Sequence, residues 1–202
     1  IDRTGNVMNY RIFPSVINSN ERMTYTNVNK ILSGDAKTQK AYPHLLKMCL
    51  DMKVLAGIIR RRREGLGAID FDSREAKILV DEKGKPKDIV LRERGEAERI
   101  IEDFMIAANE TVATHMKWLE TPSMYRIHEA PEPKKMREFA RIAKTLGYTF
   151  KGGIQDVHPK QLQALLDEAR GQDNYFVLSS FMLRSMQKAR YDNRCLGHFG
   201  LG

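Results

Sequence analysis

The feature that most constrains how this chain folds is the way proline and glycine punctuate its apolar periodicity. Leu46, Leu50, Val54 and Ile58 recur at helical spacing behind Pro43, which suits a first helical turn, and Gly65 and Gly67 follow the run. A helix is expected over 43–63. Thr24 is placed to start a shorter helix that reaches Leu32 and stops at Ser33-Gly34-Asp35. A third, over 96–119, should bury Ile101, Phe104, Ala108, Val112 and His115, and further helical patterns cover 132–146, 159–170 and a largely apolar 175–190. Strand signals lie between them. Residues 6–20 are rich in Val, Ile, Tyr and Phe with loose alternation and suit a long strand, and 124–128 reads as a short one. Residues 69–80 and 89–92 flank the turn-like Asp81-Glu82-Lys83-Gly84-Lys85 as a hairpin. Gly152-Gly153 is the one flexible-looking joint, and no internal repeat is present. Together these signals describe an α+β (mixed α/β) chain, a helix-rich single domain over 1–202 with a mostly antiparallel sheet.

At 202 residues the chain is long enough for a sizeable core, and its 42% apolar content excludes a disordered one. The 34 Lys and Arg against 26 Asp and Glu leave a net charge of +8 spread along the sequence, a field that attracts polyanions. Nucleic acid is the partner this favours, although many basic proteins bind none. Cys49 and Cys195 stand far apart without a second cysteine at metal or redox spacing, and read as reduced thiols in a cytoplasmic protein. No apolar run approaches the roughly twenty residues of a membrane span and no signal-peptide pattern opens the chain. A start at Ile1 rather than methionine suggests an excised segment.

Most enzyme signatures are absent: there is no Walker-type phosphate loop, Gly-x-Gly-x-x-Gly, nucleophile elbow or His-Glu-x-x-His. Two-metal phosphodiester hydrolysis needs several carboxylates converging on divalent cations about 4 Å apart. The best local candidate is Asp70-Phe71-Asp72, whose two acids share a face on a strand, but paired acids opening a hairpin are ordinarily solvated, so no metal ligand is assigned. Phe71 faces the other way and is either a core phenylalanine or a platform for a stacked RNA base. Tyr25 is either a packing residue at a helix start or a ligand contact. Glu102, with Glu98 on the same helical turn, ordinarily would complement the helix dipole. Arg60-Arg61-Arg62-Arg63 reads as a solvated helix end. Arg184, Lys188 and Arg190 belong to a helix otherwise made of Phe181, Met182, Leu183, Met186 and Ala189. Positions 184 and 188 share a face there, lining a phosphate channel or forming a polar stripe beside the core. His128 and His198 read as buried, hydrogen-bonded histidines, because no carboxylate partner for a general base is identifiable.

Taken in order, Ile101-Glu102-Asp103-Phe104-Met105-Ile106-Ala107-Ala108-Asn109, Tyr125-Arg126-Ile127-His128-Glu129-Ala130-Pro131, the stretch from Met182 to Tyr191, and Gly197-His198-Phe199-Gly200-Leu201 form a specific set. The set resembles the catalytic (RNB) domain of the ribonuclease II/ribonuclease R family of processive 3'-to-5' exoribonucleases, and looks closest to its bacterial ribonuclease R branch. The resemblance runs from Gly5 to Leu201 and implies a partial, incomplete catalytic domain over 1–202. The family's metal-binding aspartates would lie before Ile1 and its Ser-Pro-Ile-Arg segment after Gly202, so no catalytic residue and no Mg2+ ligand is expected in this chain. It implies a Mg2+-dependent hydrolase that threads single-stranded RNA into a narrow channel and releases nucleoside 5'-monophosphates.

The resemblance also assigns residues. Ile69-Asp70-Phe71-Asp72-Ser73-Arg74-Glu75-Ala76-Lys77 resembles the segment carrying one of two aromatics that clamp stacked 3'-terminal nucleotides, which points to Phe71. Glu21-Arg22-Met23-Thr24-Tyr25-Thr26 resembles the family's Ala-Arg-Leu-Thr-Tyr stretch, whose tyrosine contacts substrate near the scissile end, which points to Tyr25. The family's Glu-Glu-x-Met pattern, with a glutamate that accepts a ribose hydroxyl and so separates RNA from DNA, falls on Glu102-Asp103-Phe104-Met105. The role goes to Glu102, with Asp103 as the alternative. The family's arginine-rich helix leading toward the active site matches Arg184, Lys188 and Arg190. Two readings follow: a segment of an exoribonuclease that positions single-stranded RNA without a complete active site, or a non-catalytic RNA-binding or partner-binding module of the same fold.

Overall fold

A computed structural model describes residues 1–71, 75–92 and 94–201. Its contacts gather into two compact units, Ile1–Arg60 with Asp72–Ala108 and Arg61–Phe71 with Asn109–Gly202, so the chain passes between them three times. No single break separates them.

The first unit holds helices α1 (Tyr25–Leu32) and α2 (Ala36–Ala41), most of α3 (Pro43–Leu66), a hairpin of β1 (Glu75–Val80) and β2 (Pro86–Arg92), and the first half of α4 (Glu96–Trp118). Each short helix is started by a side chain. Thr24 Oγ1 accepts the Asn27 N–H at 3.3 Å and Asp35 Oδ1 that of Thr38 at 2.7 Å, satisfying amides that have no partner inside the helix. The hairpin forms as its turn residues direct: Asp81 N–H donates to the Lys85 carbonyl at 2.9 Å, and Gly84 takes the left-handed backbone at φ +76°.

Two expectations fail in this unit, the strand over 6–20 and the buried face of α4. Residues 6–20 form no strand: the stretch has no regular structure, and Met8, Phe13, Val16 and Ile17 are exposed. A strand exists only through its ladder, and among the described residues the two sheets pair β1 with β2 and β3 with β4 alone. Helix α3 buries Cys49, Ala56 and Ile59 and leaves Leu50 and Val54 exposed, because its apolar residues are spread around its circumference and neighbours choose the inner side. Helix α4 buries Ala97, Ile100 and Asp103, not Ala108 or Val112, since Asp103 meets a cation on α3.

The second unit contains β3 (Tyr125–Ile127), α5 (Pro133–Thr145), α6 (Pro159–Ala169), α7 (Tyr175–Ser185), β4 (Arg190–Asp192) and a closing 3-10 turn at Phe199–Leu201. Met136, Phe139 and Ala143 of α5, Leu162, Leu165 and Leu166 of α6, and Leu178 and Met182 of α7 make one buried core. Proline opens α5 and α6, where a missing amide hydrogen costs nothing. His158 caps α6 in a box with Gln161, whose Oε1 accepts the His158 N–H at 3.0 Å. That box explains Gly152. A Cβ there would lie 2.6 Å from Gln161 Oε1 and 2.8 Å from Phe150 Cζ, so the glycine admits a close approach and is no hinge.

Helix α7 is shorter than its apolar pattern suggests. It ends at Ser185, Met186 turns to extended backbone, and the chain runs into β4, where Arg190 pairs with Ile127 and Asp192 with Tyr125. Lys188 therefore lies beyond the helix and shares no helical face with Arg184. The fold is α+β, helix-rich, with two antiparallel two-stranded sheets. Among the described residues no helix is long and apolar enough to cross a membrane.

Candidate functional site

Tyr25 and Glu102 lie in the first unit, and Phe71, Arg184, Lys188 and Arg190 in the second. Tyr25 opens α1, 45% exposed, at the edge of an apolar cavity of about 600 Å3 lined by Met23, Val28, Met48, Met52 and Ile100. Ile101, one residue before Glu102, lines the same cavity. Asn29 links the two elements. Its Oδ1 accepts the Ala97 N–H at 2.8 Å, capping the start of α4 from α1, and its Nδ2 donates to Glu98 at 2.9 Å. Gly95 makes room for this contact, since a Cβ there would fall 2.3 Å from Asn29 Nδ2.

The neighbouring acids of α4 have separate fates. Asp103 is 3% exposed, its Oδ2 receiving Arg60 Nε at 2.9 Å and Nη2 at 2.8 Å, while Glu96 sits 3.5 Å from the same guanidinium. Burial works against the Arg60 charge, yet Asp103 and Glu96 more than offset it and raise the guanidinium pKa. Glu102 points outward, half-exposed, and pairs with Arg94. Of the two acids, Glu102 is the one an incoming ligand can reach.

Arg60 also corrects the reading of its run as a solvated helix end. Arg60 is held by Asp103, and Arg62 and Arg63 are half-buried and act on Glu110, whose carboxyl burial pushes above its ordinary value against their pull. Only Arg61 is exposed.

In the second unit Phe71 is half-buried and packs against the core of α5, α6 and α7. It follows an irregular segment pinned by Ile69 N–H to the Gly200 carbonyl at 3.1 Å and by Asp70 N–H to Gln163 Oε1 at 2.8 Å. Asp72 lies outside the described residues. Arg184 is exposed, its guanidinium carbon 5.9 Å from the Phe181 ring centre, and Lys188 is exposed on the segment after α7. Arg190 is not a spare cation: Nε and Nη2 bond Glu129 at 3.2 and 3.1 Å, Nη1 bonds Asp192, and Arg194 shares Asp192. Arg194 and Arg190 hold the Asp192 carboxyl far below its ordinary range. Arg184, Lys188 and Arg190 thus occupy three kinds of backbone, not one helical stripe.

His128 behaves as expected. Gly200 N–H donates to its Nδ1 at 3.2 Å, so Nε2 carries the proton and donates to the Gln187 carbonyl at 2.9 Å. His198, its ring 5.0 Å from that of His128, is half-buried, and its buried Nδ1 has no hydrogen-bond partner. Burial, with His128 nearby, lowers its pKa.

A family model described as RNB domain matches residues 1–202. The chain belongs to the RNB-domain family. This RNB-domain chain is 45% identical over 201 residues to Ribonuclease R 1 of Lactococcus lactis, covering 100% of itself and 25% of that protein. It is 39% identical over 200 residues to Ribonuclease R of Aquifex aeolicus, covering 99% of itself and 28% of that protein. Among solved structures it is similar to Mycoplasma genitalium RNase R in complex with ribose methylated single-stranded RNA, with a TM-score of 0.79 and 28% identity over 88% of this chain and 28% of that one. It spans about a quarter of the length of the curated relatives it matches.

Among the described residues no group of three or more His, Cys, Asp or Glu is placed to hold a metal ion. Asn29, Gly95 and Arg60 were not singled out in the sequence. The first two act through one contact between α1 and the start of α4, Asn29 reaching residues almost seventy positions on and Gly95 making room for it, and the only signal for Arg60 is a charge run that reads as solvent-facing.

Proposed function

We propose that this chain is the RNA-positioning part of a 3'-to-5' exoribonuclease that hydrolyses single-stranded RNA to nucleoside 5'-monophosphates with Mg2+. The observation that carries the reading is the RNB-domain match over the whole chain. Supporting it are the relatives named ribonuclease R and the similar structure solved with single-stranded RNA. When bound, Mg2+ ions would supply an activated water and neutralise developing charge, and in this reading their ligands come from outside this chain.

The residues present divide the remaining work. Tyr25 offers an aromatic face at the rim of its cavity, and Phe71 the free part of a ring otherwise engaged in the core. Glu102 can accept a ribose hydroxyl once Arg94 yields, a contact deoxyribose cannot make. Arg184 and Lys188 offer charge to phosphates, whereas Arg190 is already neutralised by Glu129 and Asp192.

A time course of 5'-labelled single-stranded RNA with the purified chain and Mg2+, beside an EDTA control, tests this division. Salt-sensitive binding without shortening is the expected result. Stepwise shortening abolished by EDTA would mean that the chain assembles its own metal site, with Asp70, Asp72, Glu102 and Asp103 as suspects. Intact RNA with no binding would favour the partner-binding module. Phe71→Ala should weaken RNA affinity by about 1–3 kcal/mol if the ring stacks on a base, and an unchanged affinity removes it from the site.

A further inference from the structure

Helix α5 carries an exposed row of cations that the candidate site does not use. We propose that Lys134, Arg137, Arg141 and Lys144 form a sequence-neutral track for the RNA phosphate backbone, a set with no member in common with Tyr25, Phe71, Glu102, Arg184, Lys188 and Arg190. The identity of the polyanion rests on the RNA reading of the previous subsection; the existence of the row does not.

At about 100° per residue the four side chains fall within an arc of about 80°, facing away from Met136, Phe139 and Ala143, which the helix buries. At about 1.5 Å per residue the row is about 15 Å long, enough to span several backbone phosphates. All four residues are exposed. None enters an ion pair among the described residues, whereas Lys47, Arg60, Arg94, Arg170, Arg190 and Arg194 are each partnered by a carboxylate.

The arrangement works against the helix that bears it. The pairs 134 and 137, 137 and 141, and 141 and 144 place like charges at the spacings where helical side chains meet; Glu138, the one acid among the exposed residues inside the helix, stands at those spacings from Lys134 and Arg141 and can offset one of the four charges. The first turn contains Lys134 and Lys135 and no acid, although the helix dipole favours anions there; Glu132 at the N-cap makes no side-chain capping bond. A helix selected for stability and solubility alone mixes its signs, as α6 does with Lys160, Asp167 and Glu168. A row with three cations in surplus is instead what a polyanion requires. The exposed face has no aromatic ring on which a base could stack, so it can bind phosphates without reading sequence.

The test is the salt dependence of RNA binding by the intact protein, measured by anisotropy with a labelled single-stranded oligonucleotide. The variant is K134Q/R137Q/R141Q/K144Q. Its control, K37Q/K40Q/K83Q/K85Q, removes four exposed cations of the first unit and so makes the same change in net charge. Gln keeps nearly the helix propensity of Lys and Arg. Each phosphate neutralised on a single strand adds about 0.7 to the slope of log K against log salt, so the α5 variant should lose about 2 to 3 from the slope and bind about tenfold or more weakly at low salt. The control should change far less, and the Tm of the α5 variant should hold or rise.

An unchanged slope in the α5 variant, with salt-dependent binding by the wild type, overturns the track and leaves the RNA reading intact. Equal losses in both variants overturn it in favour of net charge alone. A lowered Tm accompanying the loss would give the row a structural role and overturn it too. Wild-type protein without salt-dependent RNA affinity sinks both readings. Weakened binding to phosphatidylserine vesicles with an unchanged RNA slope would assign the row to a lipid surface instead.

Discussion

In the second unit three helices bring Met136, Phe139, Leu162, Leu166, Leu178 and Met182 into one interior, where none is more than 1% exposed. In the first unit α1, α3 and α4 surround an apolar cavity of about 600 Å3, and Met48, Val54, Phe13 and Val16 remain in solvent. Both units have helices with apolar periodicity, so patterning alone does not distinguish them. The difference lies in apolar packing: α5, α6 and α7 supply one another's inner faces within a short stretch of chain, while Phe13, Val16, Ile17 and the outer face of α3 stay exposed. The first unit buries a smaller set, Ile31, Cys49, Ala56, Ile59 and Ile100, and adds polar ties between its helices, Arg60 with Asp103 and Asn29 with Ala97 and Glu98.

The largest expected effect tests the closed core. Phe139→Ala should cost about 3–5 kcal/mol in denaturant unfolding, and Met48→Ala at the edge of the open cavity less than about 1 kcal/mol. Equal losses would break the contrast. Next, Asp103→Ala leaves the Arg60 charge partly buried without its main partner. The loss should be about 1–3 kcal/mol, discounted from a fully buried pair because Arg60 keeps some water contact. Adding Arg60→Met should restore much of it, and a second loss of equal size would show that the pair acts through packing instead. A smaller loss, about 1 kcal/mol, is expected for Asn29→Ala, which uncaps α4. Gly95→Ala should destabilise in the same direction by crowding Asn29, and an unchanged Tm in both variants would remove the cap from the account.

The smallest effect depends on pH. Burial raises the folded-state pKa of Glu110, so its neutral form is the better tolerated. That contribution is complete below the unfolded-state value and is lost as pH rises through the folded one. Glu110→Gln should therefore raise Tm at neutral pH, and the gain should vanish below the ordinary glutamate range. A gain independent of pH would point to packing rather than charge.

What could be read from the sequence was what local chemistry decides. Thr24 and Pro159 mark helix starts, and Asp81 to Lys85 marks the hairpin turn, because each works through amides a few residues away. The stop of α7 could not be read, since Met186, Gln187, Lys188 and Ala189 suit a helix well and yield only because Arg190 pairs with Ile127. The strand expected over 6–20 failed for the complementary reason: its pattern is strand-like, but a pattern provides no ladder. At the candidate site, adjacent Glu102 and Asp103 look interchangeable in one dimension, and only the position of Arg60, on another helix, makes one structural and the other accessible.

The threefold passage of the chain between its units bears on how the protein is made and dissected. On a ribosome the first unit cannot finish when Arg60 emerges, because its remaining pieces, the hairpin and the start of α4, arrive only by Ala108. The contact of Asn29 with Glu98 spans 69 residues and that of Asp70 with Gln163 spans 93, so closing such loops precedes the reward and slows folding. Nascent segments must therefore wait, partly exposed, for partners still being synthesised. For the same reason one protease nick cannot release either unit whole, and truncations placed at 60, 71 or 108 each divide a unit.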